Sequence, residues 1–445
     1  MIRTRRLPWP VLAAVAGLST ACTDGTFAGV YFVKLKAEPA EVVALADEIA
    51  REVGAEPLHV FDAATAGFTL KLPHLAAPEL GRVKAVEYVI LDAAQSRLPP
   101  DVAGWPVTEV DPREVPVSVE RVGGPLPWRV DWEDVEVAVV DTGIDARHPD
   151  LNVVAQVDFV AMRGGGHAGP TGDPVGHGTH VAGIIGGRDN GEGMVGLAPG
   201  VPLHDLRVLG ADGSGYSSDI LAAVDYILEN PRIRVANFSL GGPAGSGMDR
   251  ELQRAFAKLE DAGVVVAVAA GNEASPASTS APAAFDVGLV VSAYDAAAGD
   301  RGFAGFSNYG DEVDIAAPGV AVRSTWPGGG EAELDGTSMA TPHVAGAAAG
   351  LAALYPGADV QDIYDALLDH AVQHVPLVDP HCTAIDVGAL RPLVRAGPHV
   401  GERVRHLVAG GIEGAPGLSV RLPIQVRVRL RAVHAGREVS LRARR

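Results

Sequence analysis

The sequence predicts a doubly wound parallel α/β sheet, preceded by a small α+β domain of ferredoxin-like pattern. From about residue 128 to residue 390, short apolar runs alternate with stretches of helical spacing, as in strands covered by helices on both faces. From 29 to 95, the spacing suggests a β-α-β-β-α-β order. The chain has 445 residues, of which 47% are hydrophobic, enough for a sizeable core.

The elements of the small domain are predicted from local spacing. Residues 31–36 and 67–72 alternate like strands, and 86–90 form a further strand. Residues 39–53 have apolar positions at helical spacing, and a second short helical stretch follows Pro78.

The larger domain contains apolar runs that suit buried strands and longer stretches that suit helices. The strands are expected at 135–140, 235–239 and 264–269, and the helices at 220–228, 248–262 and 338–354. In open parallel sheets, sites form at the carboxyl ends of strands. Asp141, Ser239 and Asn272 all fall at or near such ends.

Charge and the first residues indicate the partners and the compartment. The net charge of -19 argues against a nucleic-acid partner, because an acidic surface repels phosphates. Arginines at positions 3, 5 and 6 precede the apolar residues 7–18, which are too few to span a bilayer. Small residues follow, so we predict that residues 1–21 are an export signal peptide.

Cys22 directly follows the expected cleavage position, as in bacterial lipoproteins, where that cysteine carries a lipid anchor. Ser19 stands where such leaders usually have leucine, so ordinary cleavage after Ala21 and secretion compete with anchoring in the cell envelope. The other cysteine is Cys382. One pair allows a single bridge but no disulfide framework.

Two stretches fall outside the predicted domains. Residues 96–127 are rich in proline and short of helical pattern, so we interpret them as a linker. Residues 391–445 are rich in arginine, and 421–431 alternate like an amphipathic strand. An appended β segment, a disordered basic end and a shifted reading frame are all compatible with this tail.

Three motifs carry the candidate chemistry, in the chain order Asp, His, Ser. Asp141 ends an apolar run, His177 lies in a Gly-His-Gly-Thr-His run, and Ser338 lies among small residues at an expected helix start. A serine hydroxyl needs a base to take its proton, and the base needs an orienting acid. His180 is the alternative base. A metal pair at 177 and 180 is a weaker interpretation, because the usual Glu beside the first His is absent.

The blocks around these residues resemble the subtilisin-like serine protease family over roughly residues 135–354. The resemblance implies an endopeptidase acting on proteins or peptides through an acyl-enzyme, with Ser338 as nucleophile, His177 as base and Asp141 as orienting acid. It implies that 29–95 are the inhibitory propeptide of a self-processing proenzyme, with residues 90–97 in the substrate groove. The rival functions are a peptide cyclase or amidase of the same fold, and a catalytically silent binding relative.

The resemblance also implies how the transition state and the substrate are held. Asn272 would donate its side-chain amide to the oxyanion, beside the backbone N–H of Ser338. Two extended segments would hold peptide by strand addition. Their residues are Ser239, Leu240 and Gly241 on one side, and Gly213 and Gly215 on the other.

A structural calcium ion is the one cofactor that the resemblance implies. Calcium takes six to eight oxygen ligands, many of them carbonyls. The implied ligands are the Asp150 carboxylate, the Asn190 side chain and the backbone carbonyls of Arg188, Glu192 and Met194. The resemblance further implies a cis peptide bond between Ala281 and Pro282.

Overall fold

The computed structural model describes residues 28–74, 76–92, 94–97, 115–125, 130, 132–162, 172–297, 302–369 and 371. The predicted signal peptide, both cysteines and the arginine-rich tail lie outside these residues. No helix within the described ranges is long and apolar enough to cross a membrane.

Residues 28–91 form a four-stranded antiparallel sheet with two helices. The strand order β2-β3-β1-β4 fits the predicted β-α-β-β-α-β pattern. The elements are β1 (Ala28–Leu35), α1 (Pro39–Glu52), β2 (His59–Phe61), β3 (Gly67–Pro73), α2 (Ala77–Leu80) and β4 (Val86–Leu91). One stripe of α1, at spacings of three and four residues, is buried and packs in the core of this domain.

The following described residues build a parallel sheet and its helices. In chain order the elements are β5 (Ala94–Arg97), α3 (Val117–Arg121), β6 (Glu136–Asp141), β7 (Val153–Asp158), α4 (Phe159–Met162), α5 (His177–Gly186), β8 (Leu203–Arg207), β9 (Ser214–Tyr216), α6 (Ser217–Glu229), β10 (Ile233–Phe238), β11 (Gly242–Pro243), α7 (Asp249–Asp261), β12 (Val265–Ala269), β13 (Ser280–Ala281), β14 (Leu289–Tyr294), β15 (Ile315–Pro318), β16 (Val322–Trp326), β17 (Gly330–Leu334), α8 (Thr337–Leu354) and α9 (Val360–Asp369). Seven strands pair in the order β15-β14-β12-β10-β6-β8-β7, and every pair is parallel.

The two faces of this sheet are covered by different helices. Val137 and Val139 of β6 belong to the apolar cluster that contains α5 and α8, whereas Ala138 and Val140 belong to the cluster of α6 and α7. Successive strand residues point to opposite faces of the sheet. Because helices cover both faces, every residue of β6 is buried. This confirms the predicted doubly wound α/β fold.

The structure corrects the expected linker in one part. Residues 117–121 form a short helix, and Val119 and Val122 lie in the same apolar cluster as α5 and α8. Their spacing of three residues places both on one face of a helical turn, which is enough to pack a short helix against a core. Residues 115–125 therefore pack with the parallel-sheet domain.

Two peptide bonds of the described chain are cis. One is the predicted Ala281–Pro282 bond, and the other is the Gly124–Pro125 bond, which no sequence motif indicates.

Candidate active site

Asp141 and His177 meet at the carboxyl edge of the parallel sheet. Asp141 is the last residue of β6 and His177 the first of α5. Nδ1 of His177 lies 2.7 Å from Oδ1 of Asp141, and both side chains are buried. An ionised carboxylate only accepts hydrogen bonds, so Nδ1 carries the proton and Nε2 is left as an acceptor. The Thr142 N–H donates to the same carboxylate oxygen at 2.7 Å.

Ser338 lies in the first turn of α8, at the same edge of the sheet. Its hydroxyl donates to the carbonyl of Ser239 at 3.2 Å, and the Ser239 hydroxyl donates to the carbonyl of Ser338 at 2.8 Å. Ser239 directly follows β10, which is the neighbour of β6. Among the described residues, the Ser338 hydroxyl is therefore bonded to Ser239 and not to His177.

Asp173 holds the turn in front of His177, a contact that the sequence analysis missed. Its Oδ1 accepts from the Gly176 N–H at 2.7 Å and from the Thr142 hydroxyl at 2.9 Å. Its Oδ2 accepts from the N–H and the hydroxyl of Thr179, at 2.9 and 2.7 Å. Burial raises the pKa of Asp173, although these hydrogen bonds oppose the rise. An acidic residue just before a helix start was the available signal.

Asn272 lies in the loop after β12 and is fixed at its carbonyl end. Its Oδ1 accepts from the N–H of Thr337 at 2.8 Å and from the Thr337 hydroxyl at 3.0 Å. A Cβ on Gly336 would lie 3.7 Å from Nδ2, so the donor end faces the turn that precedes Ser338. The amide donor and the start of α8 are thus adjacent.

The predicted substrate walls lie on either side of β5. β5 pairs antiparallel with β9, with Ser96 opposite Gly215. Gly213 forms the turn before β9, with a φ of 72°. On its other side β5 lies next to β11, which begins one residue after Gly241. Leu240 is buried in the cluster that contains α6 and α7. The chain leaving the first domain thus occupies the space between the two walls.

The second histidine of the Gly-His-Gly-Thr-His run does not have the surroundings of a base or a metal ligand. Nε2 of His180 donates to the carbonyls of Val322 and Ala332, at 2.9 and 3.1 Å. Burial, with the nearby charge of His177 acting in the same direction, lowers the pKa of His180 to about 3. His180 is therefore a neutral packed residue at ordinary pH.

The five residues expected to bind calcium lie together around Asp150. The Asp150 carboxylate is buried and accepts from Nδ2 of Asn190 at 2.9 Å and from the Met194 N–H at 3.2 Å. The Arg188 N–H donates to the backbone carbonyl of Asp150 at 2.9 Å. Oδ1 of Asn190 accepts from the Glu192 N–H at 3.0 Å.

Comparison with known proteins matches this arrangement to one family. Residues 133–395 match the model of the subtilase family. The chain is 41% identical to a subtilisin of Bacillus pumilus over 249 residues, which make up 55% of this chain and 86% of that protein. It is 43% identical to subtilisin Savinase of Lederbergia lenta over 239 residues, 53% of this chain and 84% of that protein.

A solved structure of a cold adapted subtilisin-like serine proteinase has the same fold. It superposes with a TM-score of 0.52 at 31% sequence identity, covering 62% of this chain and 98% of that one.

Proposed function

Because this chain belongs to the subtilase family of serine endopeptidases, we propose that Ser338, His177, Asp141 and Asn272 carry its chemistry. The observation that supports this most is the buried hydrogen bond from His177 to Asp141, at the sheet edge where Ser338 begins α8. The reaction is hydrolysis of peptide bonds in proteins or peptides.

The positions of the protons on Ser338 and His177 define the steps of acyl transfer. Ser338 Oγ attacks the peptide carbonyl carbon while Nε2 of His177 takes the hydroxyl proton. Asp141 keeps the other ring nitrogen protonated and stabilises the imidazolium that forms. When the C–N bond breaks, His177 returns the proton to the leaving amine. Water then attacks the acyl-enzyme while Nε2 of His177 takes its proton. The ester C–O bond breaks, His177 returns the proton to Ser338 Oγ, and the carboxylic acid product leaves. Catalytic hydrogen bonds often align only when the scissile peptide bond is in place, which accommodates the Ser338–Ser239 contact.

The oxyanion of the tetrahedral intermediate is bound by two donors. These are Nδ2 of Asn272 and the backbone N–H of Ser338, whose helix start adds a favourable dipole. The fixed carbonyl end of Asn272 supports this role, because a donor held in place before the reaction needs no reorganisation when charge develops.

We also propose that the first domain is the inhibitory propeptide of a self-processing proenzyme. The antiparallel pairing of β5 with β9 is the geometry expected of a bound peptide, and it supports the assignment of Ser239, Leu240, Gly241, Gly213 and Gly215 as substrate walls. An extended strand that fills the groove excludes substrate.

A buried carboxylate of the enzyme domain supports this docking. Glu251 of α7 accepts hydrogen bonds from the hydroxyls of Tyr88 and Thr65, and it pairs with Lys34 at 3.5 Å. Burial alone would raise the pKa of Glu251, but these contacts and Arg254 lower it. The carboxylate is therefore charged at neutral pH, and three residues of the first domain bind it.

We propose a structural calcium ion among the residues around Asp150. The proposed donor set consists of oxygens only, which suits a hard cation: the buried Asp150 carboxylate, Oδ1 of Asn190 and the loop carbonyls of Arg188, Glu192 and Met194. The ion would replace the hydrogen bonds that the Asp150 carboxylate and Oδ1 of Asn190 accept in this structure. The ion would stabilise the folded loop and take no part in the reaction.

We infer that residues 1–21 direct export, on the pattern of three arginines followed by an apolar stretch. Whether Cys22 carries a lipid or follows ordinary cleavage after Ala21 is decided by the intact mass of the Ser338→Ala precursor, which should keep its first domain.

Self-processing provides the test of the proposed function. Expressed as the full chain, the wild type should separate the first domain from the sheet domain, and Ser338→Ala should accumulate as precursor. The matched control is Ser278→Ala, at an exposed serine, which should mature normally. Wild-type enzyme added in trans should cut the Ser338→Ala precursor. A Ser338→Ala chain that processes itself as fast as the wild type would contradict the proposal.

A further inference from the structure

The loop that carries Asn272 is held from outside by the side chain of Asn308. Asn308 lies in the Phe-Ser-Asn-Tyr-Gly run after β14 and is fully buried. Its Oδ1 accepts from the N–H groups of Glu273 and Ser275, both at 3.0 Å. Its Nδ2 donates to the carbonyl of Ala270 at 3.0 Å and to the Glu273 carboxylate at 2.8 Å. The whole amide is thus bonded to residues 270–275.

The backbone on both sides of Asn308 is joined to the same loop. The Asn308 N–H donates to the carbonyl of Gly271 at 2.9 Å, and the Tyr309 N–H donates to that of Ser275 at 3.1 Å. In the opposite direction, the Ala274 N–H donates to the carbonyl of Phe306 at 2.8 Å. The two segments therefore form one hydrogen-bonded unit around Asn272.

This loop has a backbone conformation that it would not adopt without external contacts. Gly271 has a φ of 106° and Ala274 a φ of 49°, one on each side of Asn272. Residues with a Cβ rarely adopt positive φ, so surrounding structure must impose the conformation at Ala274. A Cβ on Gly271 would come within 2.2 Å of Nδ2 of Asn308, so glycine is what lets the amide approach this closely.

Fixing the Asn272 side chain alone is not enough to place its donor. The contact of Oδ1 with Thr337 sets the direction of the amide. The distance of Nδ2 of Asn272 from the oxyanion also depends on where the backbone of residue 272 lies. That backbone lies between Ala270 and Glu273, which are the residues that Asn308 binds.

We propose that Asn308 is a positioning residue for the oxyanion donor, holding the 270–275 loop where the amide of Asn272 meets the developing charge. This rests on the role proposed above for Asn272. Asn308 acts through the loop, since every side-chain hydrogen bond that it forms with the described residues goes to that loop. An amide combines two donors with an acceptor for two hydrogen bonds, and neither alanine nor serine can replace that set.

A double-mutant cycle with Asn272→Ala and Asn308→Ala tests this dependence. Each full-length variant is matured by a trace of tagged wild-type enzyme, which is then removed, and kcat and KM are measured with a chromogenic peptide. Losing an oxyanion donor typically costs about 10²–10³ in kcat, so Asn308→Ala should cost about tenfold or more with KM little changed. In the Asn272→Ala background it should cost less than about twofold, because the donor it positions is gone.

Two further measurements separate positioning from general stability. A peptide boronate, which mimics the tetrahedral state, should lose affinity in Asn308→Ala, while a product-like peptide should keep its affinity. The control Asn230→Ala, at the end of α6, removes one hydrogen bond to the Tyr226 carbonyl and should leave kcat unchanged. If Asn308→Ala does not fold, Asn308→Ser goes through the same cycle.

The outcomes distinguish this proposal from the one on which it rests. A full kcat in Asn272→Ala would overturn the role of Asn272, and the positioning role with it. A large loss in Asn272→Ala, together with the same Asn308→Ala loss in both backgrounds, would overturn only the positioning role. An Asn308→Ala enzyme that keeps wild-type kcat would do the same.

Discussion

Protonation of Asp225 should strengthen the contact between the first domain and the enzyme domain. Asp225 of α6 accepts hydrogen bonds from the N–H groups of Ala63, at 3.0 Å, and Ala64. The carboxylates of Asp62 and Glu229 come within 4.8 Å of it. Burial is the main reason that the pKa of Asp225 is raised to about 6, and the charge of Asp62 acts in the same direction.

The sign and size of the effect follow from proton linkage. Without the first domain, Asp225 should return to its ordinary pKa of 3.8, so the complex binds more protons than its separated parts. The stabilisation is fully present below pH 3.8 and is lost as pH rises through 6. A pKa rise from 3.8 to about 6 corresponds to at most about 3 kcal/mol. Because Asp225 is only partly buried, screening should leave about 1.4 kcal/mol, or about tenfold in Kd.

The assay is direct binding of the 28–97 segment to mature enzyme blocked by a fluorophosphonate, from pH 3 to 8, a range that extends below the ordinary pKa of 3.8. The measured quantity is the Kd of Asp225→Asn divided by the Kd of the wild type. This ratio should be about tenfold higher at the acid end than at pH 8. His59, which lies 2.9 Å from Asp219 in the same interface, is present in both proteins, so its contribution cancels in this ratio. Asp261→Asn, at an exposed site on α7, should behave as the wild type. A constant ratio across the range, or wild-type affinity that rises with pH relative to Asp225→Asn, would refute the reasoning.

Three further results are expected. Excess chelator should lower the melting temperature, because an ion bound only by the folded state stabilises that state. Asp150→Ala should remove most of that sensitivity to chelator. An unchanged melting temperature after confirmed metal removal would count against the calcium site. Asp173→Ala should lower kcat more than it raises KM, because its carboxylate anchors the turn before His177; a normal kcat would show that the anchor is dispensable. Gly178→Ala should reduce both stability and activity, since its Cβ would meet the carbonyl of Gly143 at 2.1 Å; unchanged thermal unfolding would contradict this.

The sequence predicted most of the fold, because strong periodicity survives without tertiary information. The expected helix at 338–354 is observed as Thr337–Leu354, and the expected strand at 135–140 as Glu136–Asp141. It did not identify β2, which has only three residues and too little alternation to register. It also missed α3, because a five-residue helix with two buried valines looks like linker sequence until its partner surface is known.

For the site, motifs predicted which residues meet, and the fold supplied what holds them. Asp141 and His177 could be paired from their motifs, and the structure places them 2.7 Å apart. Asp173 had a local signal, since it lies just before the start of α5 and binds that turn. Asn308 could not be assigned a role in this way, because its contacts link segments that are distant in the chain. Asn308 and Glu273 are 35 positions apart in the chain, and the sequence between them carries no pattern that reveals their hydrogen bond.

The central claim is that His177 and Asp141 activate Ser338, and active-site labelling tests it most directly. Mature enzyme is treated with a serine-directed fluorophosphonate, and the modified residue is mapped by mass spectrometry of a digest. The variants are first matured in trans by tagged wild-type enzyme, which is then removed. We expect labelling of Ser338 alone in the wild type, much slower labelling in His177→Ala, and none in Ser338→Ala. Labelling of another serine, or labelling that persists in Ser338→Ala, would contradict this claim.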